Sequence, residues 1–176
     1  MRTTHLQFRR GLAGDAPALA EFAARTFFET FGADNDPTHM QAHLAEAYGI
    51  AQQSAELRDP DFATLLATLD DTLVAYAQVR QGSAPACVME ADAIELHRFY
   101  VDRPAHGLGI AQRMMEQVRA VAREFGARHL WLGVWERNPR AIAFYRKAGF
   151  VDVGAHLFDV GGDRQTDRVM IAPLGA

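Results

Sequence analysis

The spacing of apolar side chains divides the first third of the chain into one strand and a series of helices. Alternation over residues 5–10 predicts a strand, and apolar residues three and four apart predict a helix over 15–30, with Asp15 as its N-cap. Weaker helical patterns follow at 38–48 and 50–57. This part of the chain is therefore expected to be helical after its first strand.

The remainder of the chain consists of short apolar runs between turn residues, interrupted by two helical stretches. Helices are predicted at 109–125 and 138–147, and strands at 62–69, 72–80, 94–101, 129–134, 150–159 and 165–172. Asp70-Asp71 and Gly161-Gly162 are the expected turns of two hairpins. The order β-α-α-β-β-β-α-β-α-β-β predicts one α+β domain over residues 1–176, with helices around a mixed sheet that has antiparallel hairpins at both ends.

Two glycines stand where the strand at 94–101 leads into the helix that begins near Gly109. Glycine lets the backbone turn tightly and approach a ligand closely, and the first amide groups of a helix have no internal partner. Such a junction can bind phosphate through backbone groups alone. A P-loop needs Lys-Ser/Thr after its last glycine, and a dinucleotide motif needs Gly or Ala where Gln112 stands, so neither spacing fits. The loop residues are His106, Gly107, Leu108, Gly109, Ile110 and Ala111.

Composition limits the partners and the compartment. The chain has a net charge of −4, which argues against a broad nucleic-acid surface. No apolar run approaches the roughly 18 residues of a membrane span, and residues 1–7 lack an apolar signal region. Cys87 is the only cysteine, so it cannot form an internal disulfide. It also lacks a local nucleophile signature. We therefore expect a cytoplasmic protein with no membrane or nucleic-acid partner.

The last predicted helix carries a second group of polar residues. Asn138 is placed to cap this helix and Gly149 to end it. Asn138 and Tyr145 are seven residues apart and share one helix face, so an amide and a phenol could meet one extended ligand. Taken alone, Tyr145 could equally be a half-buried aromatic residue of an amphipathic helix.

These two stretches carry a family resemblance. Residues 138–150 resemble the Asn-x-x-Ala-x-x-Phe/Leu-Tyr-x-Lys-x-Gly-Phe signature of the GNAT superfamily of N-acetyltransferases, and residues 106–111 resemble its Gln/Arg-Gly-x-Gly-x-Gly/Ala loop, with His106 as the departure. The element order of the whole chain is similar as well. The resemblance implies the GNAT fold, with a single mixed, mostly antiparallel twisted sheet, and acetyl-CoA as cosubstrate without a metal.

The same resemblance implies roles for individual residues. Loop 106–111 is expected to hold the pyrophosphate through N–H groups, so that the departure at His106 matters little. Asn138 is expected to contact pantetheine, Lys147 to belong to the cofactor-binding signature, and Tyr145 to protonate the CoA thiolate. In the family the end of the central strand binds pantetheine through its backbone, and the matching positions are Phe99, Tyr100 and Val101.

A candidate for the general base lies on the same strand. Glu95 and His97 are two residues apart and therefore share a face of the strand. A carboxylate and an imidazole there could accept the proton of an incoming ammonium group. A cross-strand pair or a solvated face explains the two residues equally well, and the sequence leaves this open.

The acceptor is suggested by a finer likeness. Residues 131–136, 154–156 and 165–167 resemble the PaiA-type spermidine/spermine acetyltransferases, in which a histidine at the position of His106 is also found. This resemblance implies a polyamine acceptor. The protein is expected to be a monomer or a homodimer, and the sequence does not decide between them. A polycation requires carboxylates in its groove, and the candidates, each of which could also be a solvated surface charge, are Glu29, Asp34, Asp36 and Glu46.

Other functions remain open at this point. The acceptor could be a protein or peptide N-terminus or another small amine, and the chain could be a CoA-binding regulatory module without catalytic activity. His39 and His43 have a spacing that can hold zinc on a helix. Met40 stands where a zinc hydrolase would have glutamate, and no third ligand is evident, so no metal site is expected.

Overall fold

The computed structural model describes residues 5–175. The first four residues, on which the expected lack of a signal region partly rests, lie outside the described residues. The strands are β1 (Leu6–Arg10), β2 (Phe62–Leu69), β3 (Thr72–Arg80), β4 (Ala93–Val101), β5 (His129–Trp135), β6 (Val151–Val160) and β7 (Asp163–Pro173). The helices are α1 (Ala16–Phe31), α2 (Pro37–Tyr48), α3 (Ile50–Arg58), α4 (Ile110–Glu124) and α5 (Pro139–Lys147).

The seven strands form one sheet in the order β1-β2-β3-β4-β5-β7-β6. The pair β4–β5 is parallel, and every other neighbouring pair is antiparallel. The expected α+β class with a mixed, mostly antiparallel sheet is thus confirmed. The element order needs one correction, because three helices rather than two precede β2. Gly49 has an extended backbone, with ψ of 154°, and separates α2 from α3.

Both expected hairpin turns are present. Asp70 and Asp71 have φ of 49° and 65°, and Gly161 and Gly162 have φ of 60° and 99°. Two consecutive residues with positive φ are the signature of the tight turn whose twist matches that of the flanking strands. Asp tolerates this region better than most residues because its short side chain can bond locally. Here the carboxylate of Asp70 accepts a hydrogen bond from the N–H of His5, which is distant in sequence.

Helices cover both faces of the sheet, and the alternation of β2 and β3 supplies a core to each face. Leu65 and Ala77 point to the larger core, which contains the apolar side of α4. Leu66 and Tyr76 point the other way, to a core closed by α1 and α2. Each strand is therefore buried on both sides, which accounts for its almost continuous apolar sequence.

The sheet splits in its middle. The strands β4 and β5 pair only from Ala93 with His129 to Glu95 with Trp131, and then diverge. Just beyond the last pair, the register of β4 against β3 shifts so that His97 has no partner. Such an extra residue bends a strand and increases its twist. The bulge and the divergence together open a cleft between β4 and β5.

The start of α1 differs from the expectation. Asp15 makes no side-chain cap to α1; its carboxylate instead accepts a hydrogen bond from the N–H of Leu12 at 2.7 Å and pairs with Arg9 at 2.7 Å. A short 3₁₀ turn over Ala13–Asp15 leads directly into the helix. Asp15 therefore precedes the first residue of α1 as predicted, but its side chain stabilises the preceding turn and does not cap the helix.

Candidate active site

A cavity of about 1020 Å³ occupies the split between β4 and β5. One half is formed by the end of β4, the glycine loop, the start of α4 and one face of α5. The other half lies between α1 and α2 on one side and the strands β5, β7 and β6 on the other. We call these the donor half and the acceptor half.

The donor half presents a free backbone edge. The N–H of Asp102 donates to the carbonyl of Val74 at 2.8 Å, with Val101 facing Ala75 and Tyr100 facing Tyr76. Since hydrogen-bonded and non-hydrogen-bonded pairs alternate in an antiparallel ladder, the amide groups of Phe99 and Val101 point away from β3. That is the side from which β5 has diverged, so these amides face the cleft.

The same alternation corrects the expectation for Tyr100. Its backbone groups point to Tyr76 on β3 and are used in the sheet, so they cannot pair with an added ligand. The ring of Tyr100 stacks on that of Tyr76 with centroids 5.7 Å apart and lines the cavity. The side chain of Tyr100 thus forms part of the cavity wall, and its backbone does not hydrogen-bond a ligand in the cavity.

The glycine loop meets the start of α4 as the sequence predicts. Gly107 and Gly109 have φ of 83° and 75°, a region that side chains with a Cβ avoid. Gly109 is the residue before the helix, and no side chain caps the free N–H groups of the first turn. Gly107, Gly109, Ile110 and Ala111 line the cavity, whereas the side chain of Leu108 is exposed outside it. An anion seated there would meet amide groups and the positive end of the helix dipole.

His106 has a more definite structural role than the sequence predicts. Its Nε2 lies 2.8 Å from the carbonyl oxygen of Val101, and its Nδ1 lies 2.8 Å from Nη2 of Arg140. A carbonyl only accepts and a guanidinium only donates, so both contacts are satisfied together by the tautomer that carries its proton on Nε2. His106 therefore ties the loop to the end of β4 and holds the cation of Arg140 beside the loop.

The two polar residues of α5 lie in the donor half, but Lys147 does not. Asn138 accepts a hydrogen bond from the N–H of Ala141 at 3.2 Å and caps α5. Tyr145 is 9% exposed and packs against Phe99 and Phe150, and burial raises the pKa of its phenol. Lys147 is exposed and outside the cavity. It follows Tyr145 by two residues, about 200° around the helix, so the structure places it away from the cavity and its contact with the cofactor stays a prediction.

Glu95 and His97 meet at the bulge of β4. Oε1 of Glu95 lies 3.4 Å from Nδ1 of His97, and Oε2 lies 2.6 Å from Nη2 of Arg80. Burial opposes the charge of Glu95, but the contacts with His97 and Arg80 outweigh it and lower its pKa. Burial also lowers the pKa of His97, with Glu95 partly offsetting the shift. A neutral imidazole held through Nδ1 leaves Nε2 free to accept a proton.

A buried ion pair forms the floor of the cavity beside Glu95 and His97. Arg98 and Glu56 are 9% and 5% exposed in their side chains and approach to 2.6 Å. Gln78 accepts from Arg98 at 2.7 Å and donates to Glu56 at 3.0 Å, so both charges are further hydrogen-bonded. The network joins α3 to β3 and β4, and the nearby cation of Arg98 contributes to the lowered pKa of His97.

The four acidic residues expected in the acceptor half separate into two pairs. Glu29 and Glu46 line the cavity, and Glu29 is paired with Arg25 at 3.2 Å. Asp34 and Asp36 lie outside the cavity. Asp36 accepts hydrogen bonds from the N–H groups of Thr38 and His39 at 2.8 and 3.3 Å and is the N-cap of α2. For these two residues the expectation of a groove carboxylate was wrong.

The sequence reasoning noted residues 131–136, 154–156 and 165–167 for their family likeness but gave no role to the side chains that these stretches bring together. Asp167 faces Trp135 on one neighbouring strand and His156 on the other, and all three line the cavity. Asp159 lies at the rim of the same half. The sequence held a signal for Asp167, because this charged residue precedes Val169 and Ile171 by two and four positions and so shares their face of the strand.

Of the two histidines considered as zinc ligands, His43 packs in the core. His43 is 9% exposed and packs on the ring of Phe27 with centroids 4.7 Å apart, and burial lowers its pKa. Within residues 5–175, no group of three or more His, Cys, Asp or Glu side chains could hold a metal ion. Across the same residues, no helix is both long and apolar enough to cross a bilayer.

Sequence comparison defines the class of protein. The acetyltransferase (GNAT) family matches residues 18–150, which include the bulged strand, the glycine loop and the tyrosine of α5. The chain belongs to this family of acyltransferases, whose cosubstrate is acetyl-CoA. An uncharacterized N-acetyltransferase of Mycobacterium bovis is 35% identical over 160 residues, covering 91% of this chain and 98% of the relative. The streptothricin acetyltransferase of Streptomyces lavendulae is 31% identical over 172 residues, covering 88% and 87%.

Solved structures agree on the fold. The PaiA N-acetyltransferase of Thermoplasma acidophilum, solved in complex with coenzyme A, superposes with a TM-score of 0.76 at 19% identity, covering 96% of this chain and 99% of that one. A GCN5-related N-acetyltransferase of Rhodopseudomonas palustris gives a TM-score of 0.74 at 18% identity, with 98% of both chains covered. At these identities the likeness establishes the fold and leaves the acceptor undetermined.

Proposed function

We propose that the protein transfers the acetyl group of acetyl-CoA to a primary amine of a small polyamine, such as spermidine or spermine. The observation that carries this proposal is the composition of the acceptor half, in which the aromatic rings of Phe31, Trp135 and Phe158 are combined with the rim carboxylates of Glu46 and Asp159. Aromatic faces and carboxylates both favour cationic amines.

The donor half fits acetyl-CoA through backbone groups. The pyrophosphate lies on the amides of residues 107–111, with Arg140 beside it, and the pantetheine arm runs along the free edge of β4. The amides of Phe99 and Val101 face this arm and can pair with it as a neighbouring strand would. The amide of Val101 is also the candidate donor to the thioester carbonyl, where negative charge develops during attack.

The acceptor half and the end of β4 then carry out direct transfer in a ternary complex. The amine nitrogen attacks the thioester carbonyl carbon, a C–N bond forms and the C–S bond breaks. The proton of the amine passes to Nε2 of His97, directly or through water, with Glu95 orienting the ring. The departing sulfur takes a proton from the hydroxyl of Tyr145, whose raised pKa keeps it protonated. No covalent enzyme intermediate is required.

A second candidate acceptor follows from the streptothricin acetyltransferase relative. That relative is 31% identical over most of the chain, which is enough to consider an antibiotic amine as the substrate. The polyamine and the antibiotic amine would react through the same chemistry at the nitrogen. They differ in the size and shape of the molecule that the groove between α1 and α2 must accommodate. A peptide N-terminus requires an open, neutral groove, and the carboxylates of this one argue against it.

The test is release of free CoA thiol from acetyl-CoA with spermidine, spermine, streptothricin, short peptides or no acceptor, with the acetylated product identified by mass spectrometry. Turnover with spermidine or spermine supports the proposal, and turnover with streptothricin alone selects the second candidate. Activity on peptides alone would overturn the assignment of the acceptor. Binding of acetyl-CoA without turnover of any acceptor would instead indicate a regulatory module. We propose that the protein acts in the cytoplasm as one domain, either as a monomer or as a homodimer.

A further inference from the structure

Asp167 is a buried carboxylate for which the fold supplies no counter-charge. It is 8% exposed, and no Arg or Lys of residues 5–175 forms an ion pair with it. Its neighbour on β6 is His156, whose Nε2 lies 3.8 Å from Oδ2, beyond hydrogen-bond distance. Within the same residues its carboxylate accepts no hydrogen bond. A carboxylate in a mostly buried position without a close partner favours a cationic ligand at the cavity surface.

The surroundings of Asp167 are built to receive a cation. Its neighbours across the sheet are Trp135 and His156, so the indole and the imidazole flank the carboxylate on one face. Gly133 keeps the approach open, because a Cβ there would lie 2.7 Å from Nε2 of His156 and 3.0 Å from Oδ2 of Asp167. An ammonium group above Asp167 would meet both a carboxylate and an aromatic ring.

This site is separate from the place where acetyl transfer occurs. Asp167 lies on β7, two strands away from β4 in the sheet, and the split widens the gap further. With adjacent strands roughly 4.8 Å apart, Asp167 is about 10 Å or more from the bulge at His97. A single amine cannot occupy both positions.

From this arrangement we infer that Asp167, with Trp135 and His156, forms a second cation subsite that selects acceptors carrying a distal ammonium group. The inference rests on the proposed transfer to an amine and adds the requirement for two charges at a defined separation. A long α,ω-diamine bridges the reacting position and Asp167. A short diamine and a monoamine leave Asp167 without a partner.

The experiment measures equilibrium binding in the presence of saturating CoA, which cannot transfer acetyl. The readout is the heat of binding or the change in tryptophan fluorescence, to which Trp131 and Trp135 both contribute. The ligands are the eight-carbon α,ω-diamine, the four-carbon α,ω-diamine and n-octylamine. The expected result for the unmodified protein is that the long diamine binds at least about tenfold more tightly than the other two, as expected for one charge-assisted hydrogen bond in a buried site.

The variant Asp167→Asn should remove this preference while CoA affinity remains unchanged. Gly133→Ala, which places a methyl group against Asp167, should weaken it and serves as a second variant if Asp167→Asn does not fold. The matched control is Asp71→Asn, an exposed carboxylate in the β2–β3 turn, which should keep the full preference.

Equal affinity of the unmodified protein for the three ligands would overturn the inference, as would a preference that persists in both variants. Thiol release measured in parallel separates this failure from failure of the proposed function. If amines are acetylated without any preference for the long diamine, only the second subsite is wrong. If the preference is present but no amine is acetylated, the subsite stands and the proposed reaction is wrong.

Discussion

The two halves of the cavity present different kinds of chemical group to a ligand. The donor half offers mainly backbone groups, namely the amides of Phe99 and Val101 on the free edge of β4 and those of the glycine loop at the start of α4. The acceptor half offers mainly side chains, which come from α1 and α2 and from β5, β6 and β7. Ligand binding in the donor half therefore depends on the path of the backbone, whereas binding in the acceptor half depends on the identity of the side chains.

This difference explains why one fold can keep its cosubstrate and change its acceptor. A backbone site tolerates most side-chain changes, provided that glycine remains where φ is positive. A side-chain site changes its selectivity with every substitution on its walls. We expect the two halves to respond separately to mutation, and the following variants are ordered from the largest expected effect to the smallest.

The variant Gly109→Glu should abolish binding of acetyl-CoA. It places a bulky negative side chain at the seat of the pyrophosphate and strains a residue with φ of 75°. Gly126→Glu is the matched control, because Gly126 has φ of 79° and open space around it but lies outside the cavity. Calorimetry should find acetyl-CoA affinity lost in the first variant and retained in the second. Retention in both would mean that the loop does not hold the cosubstrate.

The variant Tyr145→Phe should lower kcat by about 100-fold or more, the usual contribution of a general acid, and leave acetyl-CoA affinity within about twofold of the original. The control Tyr76→Phe removes a buried hydroxyl that has no hydrogen-bond partner within the described residues and lies outside the cavity. It should keep full activity and be as stable as the original or more so. Pre-steady-state release of thiol checks the first claim, and an unchanged rate would exclude the acid role of Tyr145.

Much of the donor half could be predicted from the sequence because its determinants are local. The glycines at 107 and 109 and the pair Asn138 and Tyr145 each lie within one short stretch, where spacing alone fixes the geometry. Lys147 belonged to the same signature, but its position on α5 turns it to solvent. The use of Tyr100 in the sheet required the register of β4 against β3, which no single stretch of sequence contains.

The acceptor half could not be predicted in the same way because it is assembled from distant segments. Asp167 and Trp135 are neighbours only because β7 inserts between β5 and β6. The expected acidic residues were chosen from one helical region, and two of the four lie outside the cavity. Asp36 in particular has the sequence context of a helix cap, Asp-Pro-Thr, and that local role is the one it has.

The pH dependence of kcat tests the role of Glu95 and His97, the pair of residues that lies where the two halves of the cavity meet. Burial lowers the pKa of His97 below its ordinary value of about 6.5, so the neutral base persists into mild acid. The rate should rise with pH through an apparent pKa below about 6.5 and then level off. Glu95→Gln removes a carboxylate that raises the pKa of His97, so the rise should move to lower pH, with kcat reduced about tenfold.

Two further variants complete this test. His97→Gln should remove the rise at acid pH altogether, and Glu124→Gln, an exposed carboxylate paired with Arg10, should leave the profile unchanged. A rise that stays at the same pH in Glu95→Gln would show that Glu95 does not act through His97. A rise that persists in His97→Gln would assign the base to another group.

The smallest effect is expected for Asp36→Ala. It removes the N-cap of α2 and should lower the free energy of unfolding by about 1 kcal/mol, with the KM for the amine unchanged because Asp36 lies outside the cavity. Asp36→Asn keeps a capping oxygen and should retain most of the stability. Thermal unfolding measures both variants. A raised KM for the amine in Asp36→Asn would contradict this account and indicate that Asp36 belongs to the acceptor half.

The central claim is that donor and acceptor occupy one cavity at the same time and react directly. Initial rates measured over a grid of acetyl-CoA and spermidine concentrations test it in a single experiment. Direct transfer in a ternary complex requires double-reciprocal lines that intersect. Parallel lines, together with thiol release in the absence of any acceptor, would indicate an acetylated enzyme and contradict the account.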